Sequence, residues 1–176
     1  MKNPDIKKLL ERTHLKIIIL FSLLFMSFTY NDDIFVSSTS TQDELFARAQ
    51  EWVSSTFNPS LNEIQMRDKN ANVIIFNSRF QTQTSGEISE SKVNFTMKIQ
   101  VRQGRFKYWI YNLNHVSNKP GYSGGKLELI EPKCGTNKIT KKEWERVKKQ
   151  AVETLENYIV GLKKYMEFKN KSHSDC

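Results

Sequence analysis

The sequence is poor in the residues that build small scaffolds and reaction centres. Its 176 residues include two cysteines, which excludes a miniature fold stapled by several disulfides. Three histidines are too few for a histidine-rich metal site. No H-E-x-x-H, C-x-x-C, G-x-G-x-x-G or Walker pattern occurs, so no metal or cofactor is expected. The longest apolar run, Ile17 to Phe28, would rise roughly 18–21 Å as a helix, short of the roughly 30 Å hydrocarbon layer. Hydrophobic residues make up 38% and charged residues 26%, a balance that excludes both a disordered chain and a multi-span membrane protein.

What is present begins with an N-terminal segment of distinct character. Lys2, Lys7, Lys8, Arg12 and Lys16 stand against Asp5 and Glu11, and the apolar run follows directly. A basic stretch before an apolar core of this length is the pattern of a secretory signal. The run has no amphipathic stripe, which argues against a helix buried at the edge of the domain. No A-x-A-like cleavage site follows the core, Ser27 and Thr29 being poor substitutes, and no cysteine follows to carry a lipid. The expectation is an exported protein of the periplasm or cell envelope. Residues 1–30 read first as a cleaved signal and second as a retained anchor, associating with the membrane through residues 17–30. Residues 31–168 then form a single domain and 169–176 a polar tail.

Charge follows the same division. The formal charge of +8 falls to +5 without the +3 of residues 1–30. Residues 31–132 carry eleven basic and eleven acidic side chains, and residues 133–176 eleven and six. The excess belongs to one C-terminal segment rather than to a broad patch. With export, that distribution argues against nucleic acid as a partner.

Periodicity supplies the fold. Ile34 to Val36 reads as a short strand. Thr41 and Glu44 form a T-x-x-E capping box, and Leu45, Phe46, Ala49, Trp52, Val53 and Phe57 make one helical stripe ended by Asn58-Pro59. Trp52 lies inside that stripe and reads as core rather than as a ligand platform. Glu63–Asp68 is a strand with Ile64 and Met66 on one side, and Lys69–Asn72 a tight turn in which Asn70 and Asn72 can take the left-handed conformation. Val73–Phe80 is a strand, and Gln81–Ser91 a loop or frayed hairpin tip. Val93, Phe95, Met97, Ile99 and Val101 then alternate with polar residues over five repeats, a half-buried strand. Gln103-Gly104 turns the chain into an antiparallel partner, Arg105–Leu113. Six glycines and prolines between Pro120 and Gly135 mark residues 116–138 as an irregular loop, in which GYSGG at Gly121 reads as flexible rather than phosphate-binding. A second capping box, Thr140 and Glu143, starts a helix over 140–168, roughly 42 Å long, with lysines on its outer face. The fold class is α+β, in the order β-α-β-β-β-β-α. Its five-stranded antiparallel sheet carries both helices on one face.

ELFARAQEWVSSTF, the Asp68-Lys69 turn and VNFTMKIQVRQGRFKYWIYNL together resemble an uncharacterised family of exported bacterial proteins. That family is a domain of unknown function with a fold like the TATA-box-binding protein (TBP). The likeness covers about residues 34–115 and rests on helix-borne Trp52, the Asp-Lys turn, and Gly104-Arg105-Phe106-Lys107-Tyr108 after an alternating strand. The sequence departs at Asn72, where the family tends to place glycine. The resemblance implies β-α-β₄-α, in agreement with the periodicity. It supplies no catalytic residue, and the nucleic-acid binding of the fold's namesake does not transfer.

Candidate chemistry is sparse. His115, the one histidine of the folded body, reads as a partly exposed structural residue at a strand end. Glu128 and Glu131 read as solvated. A Cys134–Cys176 disulfide would need nearly taut chains along the length of the final helix, so two free thiols or an intermolecular bond are expected. The more suggestive feature is a surface. If Phe106, Tyr108 and Ile110 face the helices, then Arg105, Lys107, Trp109, Tyr111 and Leu113 face away, joined by Thr96, Lys98 and Arg102. Lys98, Arg102, Arg105, Lys107, Trp109 and Tyr111 form the candidate interaction face, because Trp and Arg are enriched at interface anchors. Alternatively the aromatics merely cover an open sheet, or a loop or the N-terminal segment packs on them. The expected function is a non-catalytic envelope module that binds a protein, glycan or lipid headgroup. A second reading is an exported hydrolase or inhibitor-like protein acting through residues 116–138, which requires a pocket joining His115 to a carboxylate.

Overall fold

Reciprocal hydrogen bonds start the first helix. The Thr41 amide donates to Glu44 Oε2 at 2.9 Å, and the Glu44 amide to Thr41 Oγ1 at 3.2 Å. The computed structural model describes residues 30–36, 39–57, 64–82 and 91–167. Residues 1–29 of the expected signal or anchor, the expected helix end at Asn58-Pro59, residues 83–90 of the expected loop, and Cys176 lie outside these residues. The elements are β1 (Tyr30–Phe35), α1 (Gln42–Phe57), β2 (Ile64–Asp68), β3 (Val73–Thr82), β4 (Ser91–Arg102), β5 (Arg105–Ser117), β6 (Gly125–Lys126) and α2 (Lys141–Glu167). At the start of α2 Thr140 caps the helix, its Oγ1 accepting from the Glu143 amide at 3.2 Å, while the Glu143 carboxylate pairs with Arg146.

The sheet is antiparallel throughout, in the order β1-β5-β4-β3-β2, with β6 also beside β5. β1 takes the first half of the outer edge of β5, and the two-residue β6 the second. Backbone bonds tie the start of the chain to the β4–β5 turn: Gly104 N donates to Ser40 O, and Val36 N to Gly104 O. Both helices bury their stripes on one face of this sheet, as expected. Leu45, Phe46, Ala49, Trp52 and Val53 of α1 meet Trp144, Val147, Ala151, Leu155, Ile159, Leu162 and Met166 of α2 in one core. That core also takes in the alternating set from Val93 to Val101, and Phe106, Tyr108 and Ile110. Trp52 is buried within it.

Four expectations need correction. Leu113 does not lie on the open face: it is fully buried. The register pairs Thr96 with Tyr111 but Asn94 with Asn114, so β5 carries one extra residue. Asn112 sits there at φ 58°, a left-handed conformation that asparagine tolerates. The bulge shifts the alternation by one position, and Leu113 and His115 turn inward. Met66 likewise leaves the side expected of it, because the register shifts between Ile64 and Met66 and leaves Met66 opposite Ile75. The loop 116–138 is not irregular throughout. It contains β6, Leu127 N donates to Leu113 O at 3.1 Å, and Leu127 is fully buried in the core. Finally, His115 is not partly exposed but completely enclosed. The Asp68–Asn72 turn needs no correction: Asp68 Oδ1 accepts from the amides of Asn70 and Ala71, and Asn72 takes φ 52°.

Candidate functional site

Directly paired residues of an antiparallel ladder share a face, so the register alone assembles the surface opposite the helices. Lys98 pairs with Trp109, Gln100 with Lys107, Arg102 with Arg105, and Thr96 with Tyr111. β1 adds Asn31 beside Trp109, Asp33 beside Lys107 and Phe35 beside Arg105. β3 adds Ile75 beside Lys98, Asn77 beside Thr96 and Arg79 beside Asn94. All six residues of the predicted face therefore lie on one side of the sheet, across β4 and β5.

Two regions differ in chemistry. At one end Lys107 Nζ stands 3.0 Å from Asp33 Oδ2, and Arg105 Nη1 3.9 Å from the same oxygen. These side chains are well exposed, so each pair contributes about 0–1 kcal/mol. Arg102 lies directly across the ladder from Arg105, a like-charge pairing that works against the sheet. Next along the strands, Lys98 Nζ rests 4.7 Å from the centre of the Trp109 ring, a cation–π contact that holds both side chains over the sheet.

At the other end the bulge opens a cleft of about 360 Å³ lined by Asn77, Arg79, Asn94, Thr96 and Asn112, with Ser78 and Phe95 beneath. Thr96 Oγ1 donates to Asn77 Oδ1 at 2.9 Å, and Asn112 Nδ2 to Thr96 Oγ1 at 3.5 Å. Each carboxamide has two donors and an acceptor, so these bonds leave further capacity on Asn77 and Asn112. Sequence reading missed this cluster, together with Asp33, Phe35 and Met66. The signal would have been strand register, which a single strand's alternation does not fix.

The loop behind β5 is a sealed core. His115 Nδ1 accepts from the Gly124 amide at 2.9 Å, which places the imidazole proton on Nε2. The ring meets Trp144 edge to face at 5.8 Å, and Trp144 Nε1 donates to Leu129 O at 2.9 Å. Burial lowers the His115 pKa to about 4. Residues 121–125 also fit the letter pattern G-x-S-x-G of hydrolase nucleophile turns, a signal the motif reading overlooked. They sit between two antiparallel strands rather than on a strand-to-helix turn, and Ser123 Oγ accepts from the Ser117 amide at 3.2 Å. Glu128 and Glu131 are exposed, and Glu131 pairs with Lys141 at 3.0 Å. The Cys134 thiol is partly buried, and burial raises its pKa.

A second cleft, of about 490 Å³, lies between the helices and is lined by Arg48, Glu51, Trp52, Thr56, Gly161, Lys164 and Tyr165. Arg48 is committed there, since its Nη1 donates to Met166 O at 2.7 Å. Among the described residues no three His, Cys, Asp or Glu side chains gather to hold a metal, and no helix is long and apolar enough to cross a membrane.

Residues 30–116 match the family model of DUF4468, a domain of unknown function with TBP-like fold. The chain carries a DUF4468 domain. The match spans β1 through β5, the whole of the open face except β6. A DUF4468 family protein from Bacteroides ovatus has a similar structure, with a TM-score of 0.61 at 9% identity, covering 81% of this chain and 88% of that one. A TBP-like protein from Parabacteroides distasonis is similar with a TM-score of 0.56 at 14% identity, covering 76% and 91%. At such identities the likeness speaks for the fold. It reaches beyond the span of the DUF4468 model, because 81% of the chain exceeds residues 30–116. No curated protein matches the chain.

Proposed function

We propose that this protein is a non-catalytic binding module of the cell envelope that engages its partner through the open face of the DUF4468 sheet. The observation that carries the reading is one sheet with both helices on one side and six predicted interaction residues gathered on the other. A sheet that needed only solvation would alternate core residues with small polar ones. This one presents Trp109 and Tyr111 partly buried, Phe35 62% exposed, and a cationic row. Export rests on the basic and apolar pattern of residues 1–30, and a protein, glycan or lipid headgroup of the envelope is the partner class.

The hydrolase reading loses its base. His115 is fully buried and its Nδ1 already accepts from Gly124, so no substrate reaches the imidazole. The test is a double substitution, Trp109→Ser with Tyr111→Ser, applied to captured protein, glycan and lipid fractions of the envelope. Thermal unfolding should change little while retention of the bound fraction is lost. Retention of every bound fraction by the variant would remove the open face from consideration. Intact mass of the envelope product tests cleavage near residue 30.

A further inference from the structure

The two ends of the open face are unlike, and together they specify a ligand class. The bulge end is concave, lined by three asparagine carboxamides, a threonine hydroxyl and one cation, Arg79. The other end is cationic, with Lys98, Arg102, Arg105 and Lys107 set against Asp33 and, at the far end of the same row, Asp68. Between them stand Tyr111 and Trp109, the latter with an ammonium at 4.7 Å from its ring centre. Thr96 to Arg102 spans seven residues of one strand, roughly 20 Å, so the strip is longer than any single headgroup.

From this we infer that the open face binds an acidic oligosaccharide, with hydroxyl-bearing rings in the Asn77–Asn94–Asn112 cleft and carboxylates or phosphates along the cationic row. The inference rests on the reading of this face as the binding surface and adds the chemistry of its occupant. A carboxamide donates and accepts at adjacent atoms, which matches neighbouring sugar hydroxyls that do the same. The cleft volume of about 360 Å³ falls within the roughly 300–1,000 Å³ of small-ligand sites, and its lining is polar except for Phe95. The apolar face of a pyranose packs flat on an aromatic ring, and Tyr111 offers such a ring beside the cleft, while the Trp109 ring already carries the Lys98 ammonium. The Lys98 ammonium over Trp109 puts a cation next to that platform, the pairing a ring with an acidic substituent needs. An anionic membrane would use the cations and leave the carboxamide cleft without a role. An acidic peptide would do the same. Only a ligand both hydroxylated and anionic uses the whole strip.

Titration calorimetry of the full protein would use four probes: oligogalacturonate, the methyl-esterified oligomer of equal length, phosphatidylglycerol vesicles, and polyglutamate. The expected result is preferential binding of oligogalacturonate, at least tenfold over its neutral ester, weakening several-fold as salt is raised from 50 to 200 mM. Asn112→Gly removes a cleft amide while keeping a residue suited to positive φ, so it should weaken binding about tenfold without lowering the melting temperature. Asn94→Asp, nearly equal in volume, should do the same. No oligogalacturonate binding, equal binding of the ester, or affinity unchanged in both variants overturns the inference. Preference for vesicles or polyglutamate, abolished by Lys98→Glu with Arg102→Glu, overturns the glycan while leaving the open face as the binding surface. If neither the probes nor the envelope fractions respond to any substitution on the face, both readings fall.

Discussion

Gly124 is where one added methyl group should cost most. A Cβ built there collides with Cζ3 of Trp144 and stands 2.9 Å from its Cη2 and 3.1 Å from His115 Nδ1. Neither neighbour can retreat, because both side chains are fully buried and Trp144 is held by its bond to Leu129 O. The Gly124 backbone is not in the left-handed region, so the effect of Gly124→Ala is steric. Overpacking of this kind costs about 1–3 kcal/mol. Pushing the loop away from β5 also strips the Gly124 amide of its His115 acceptor, about 1–3 kcal/mol more for an orphaned buried donor. A loss near 4 kcal/mol in a chain of this length lowers the melting temperature by about 8–16 °C. Circular dichroism of the purified variant under heat and urea reads this directly. Gly121→Ala, with nothing within 4 Å of the new carbon but φ +80°, isolates backbone strain as a control. If Gly124→Ala melts within about 2 °C of the parent protein, the loop is not packed on β5 and α2 as described.

The same core makes stability depend on pH. Burial holds the His115 pKa at about 4, below the ordinary 6.5, so the neutral form is favoured in the folded state. Its contribution is complete above about pH 6.5 and is lost as pH falls toward 4, at about 1.4 kcal/mol per pH unit and about 3 kcal/mol in all. Urea midpoints from pH 7 to 4.5 should show this slope, and His115→Gln should flatten it; equal slopes in both proteins would refute the enclosed imidazole. Gly161→Ala should act oppositely to Gly124→Ala, because its Cβ meets Trp52 Nε1 at an ordinary 3.5 Å. A helix-interior gain of about 0.5–1 kcal/mol follows, read as a higher melting temperature. Leu113→Ala should cost about 2–5 kcal/mol as a buried truncation. A cost below about 1 kcal/mol would place Leu113 back on the open face.

The sequence made legible whatever depends on one element's own period. The five alternations from Val93 to Val101, the helical stripes, the Thr41–Glu44 capping box and the Thr140 cap each declare themselves locally, and each is realised. What escaped depends on pairing between elements. Nothing in RFKYWIYNL announces that Asn112 adopts a left-handed conformation, so alternation carried past it puts Leu113 on the wrong face. The glycines and prolines of 116–138 correctly deny it long helices and strands. They do not reveal that Leu127 and Gly124 pack against β5 and α2, because that closure is tertiary. The carboxamide cleft is hidden for the same reason: Asn77, Asn94 and Asn112 come from three strands and meet only through register.

The bulge therefore links the two halves of the molecule. By turning Leu113 and His115 inward it supplies the anchors on which the Gly124 loop and Trp144 close. By leaving Asn112 on the other side it opens the cleft among the asparagines. A regular β5 would keep the alternation begun at Arg105, bury Asn112 and Asn114, and expose Leu113 and His115. The open face also keeps features that a merely solvated surface would be better without: arginines paired across a ladder, Phe35 62% and Met66 46% exposed, and a left-handed asparagine. Each breaks a local rule at a cost from a few tenths to about 3 kcal/mol, and these lie on the side away from the helices. Exposed apolar side chains occur off this face as well, with Ile130 87% exposed in the loop and Val160 64% exposed on α2, so exposure alone does not single out the open face. What sets it apart is register: β4 and β5 place the paired arginines at one end and the bulge cleft at the other.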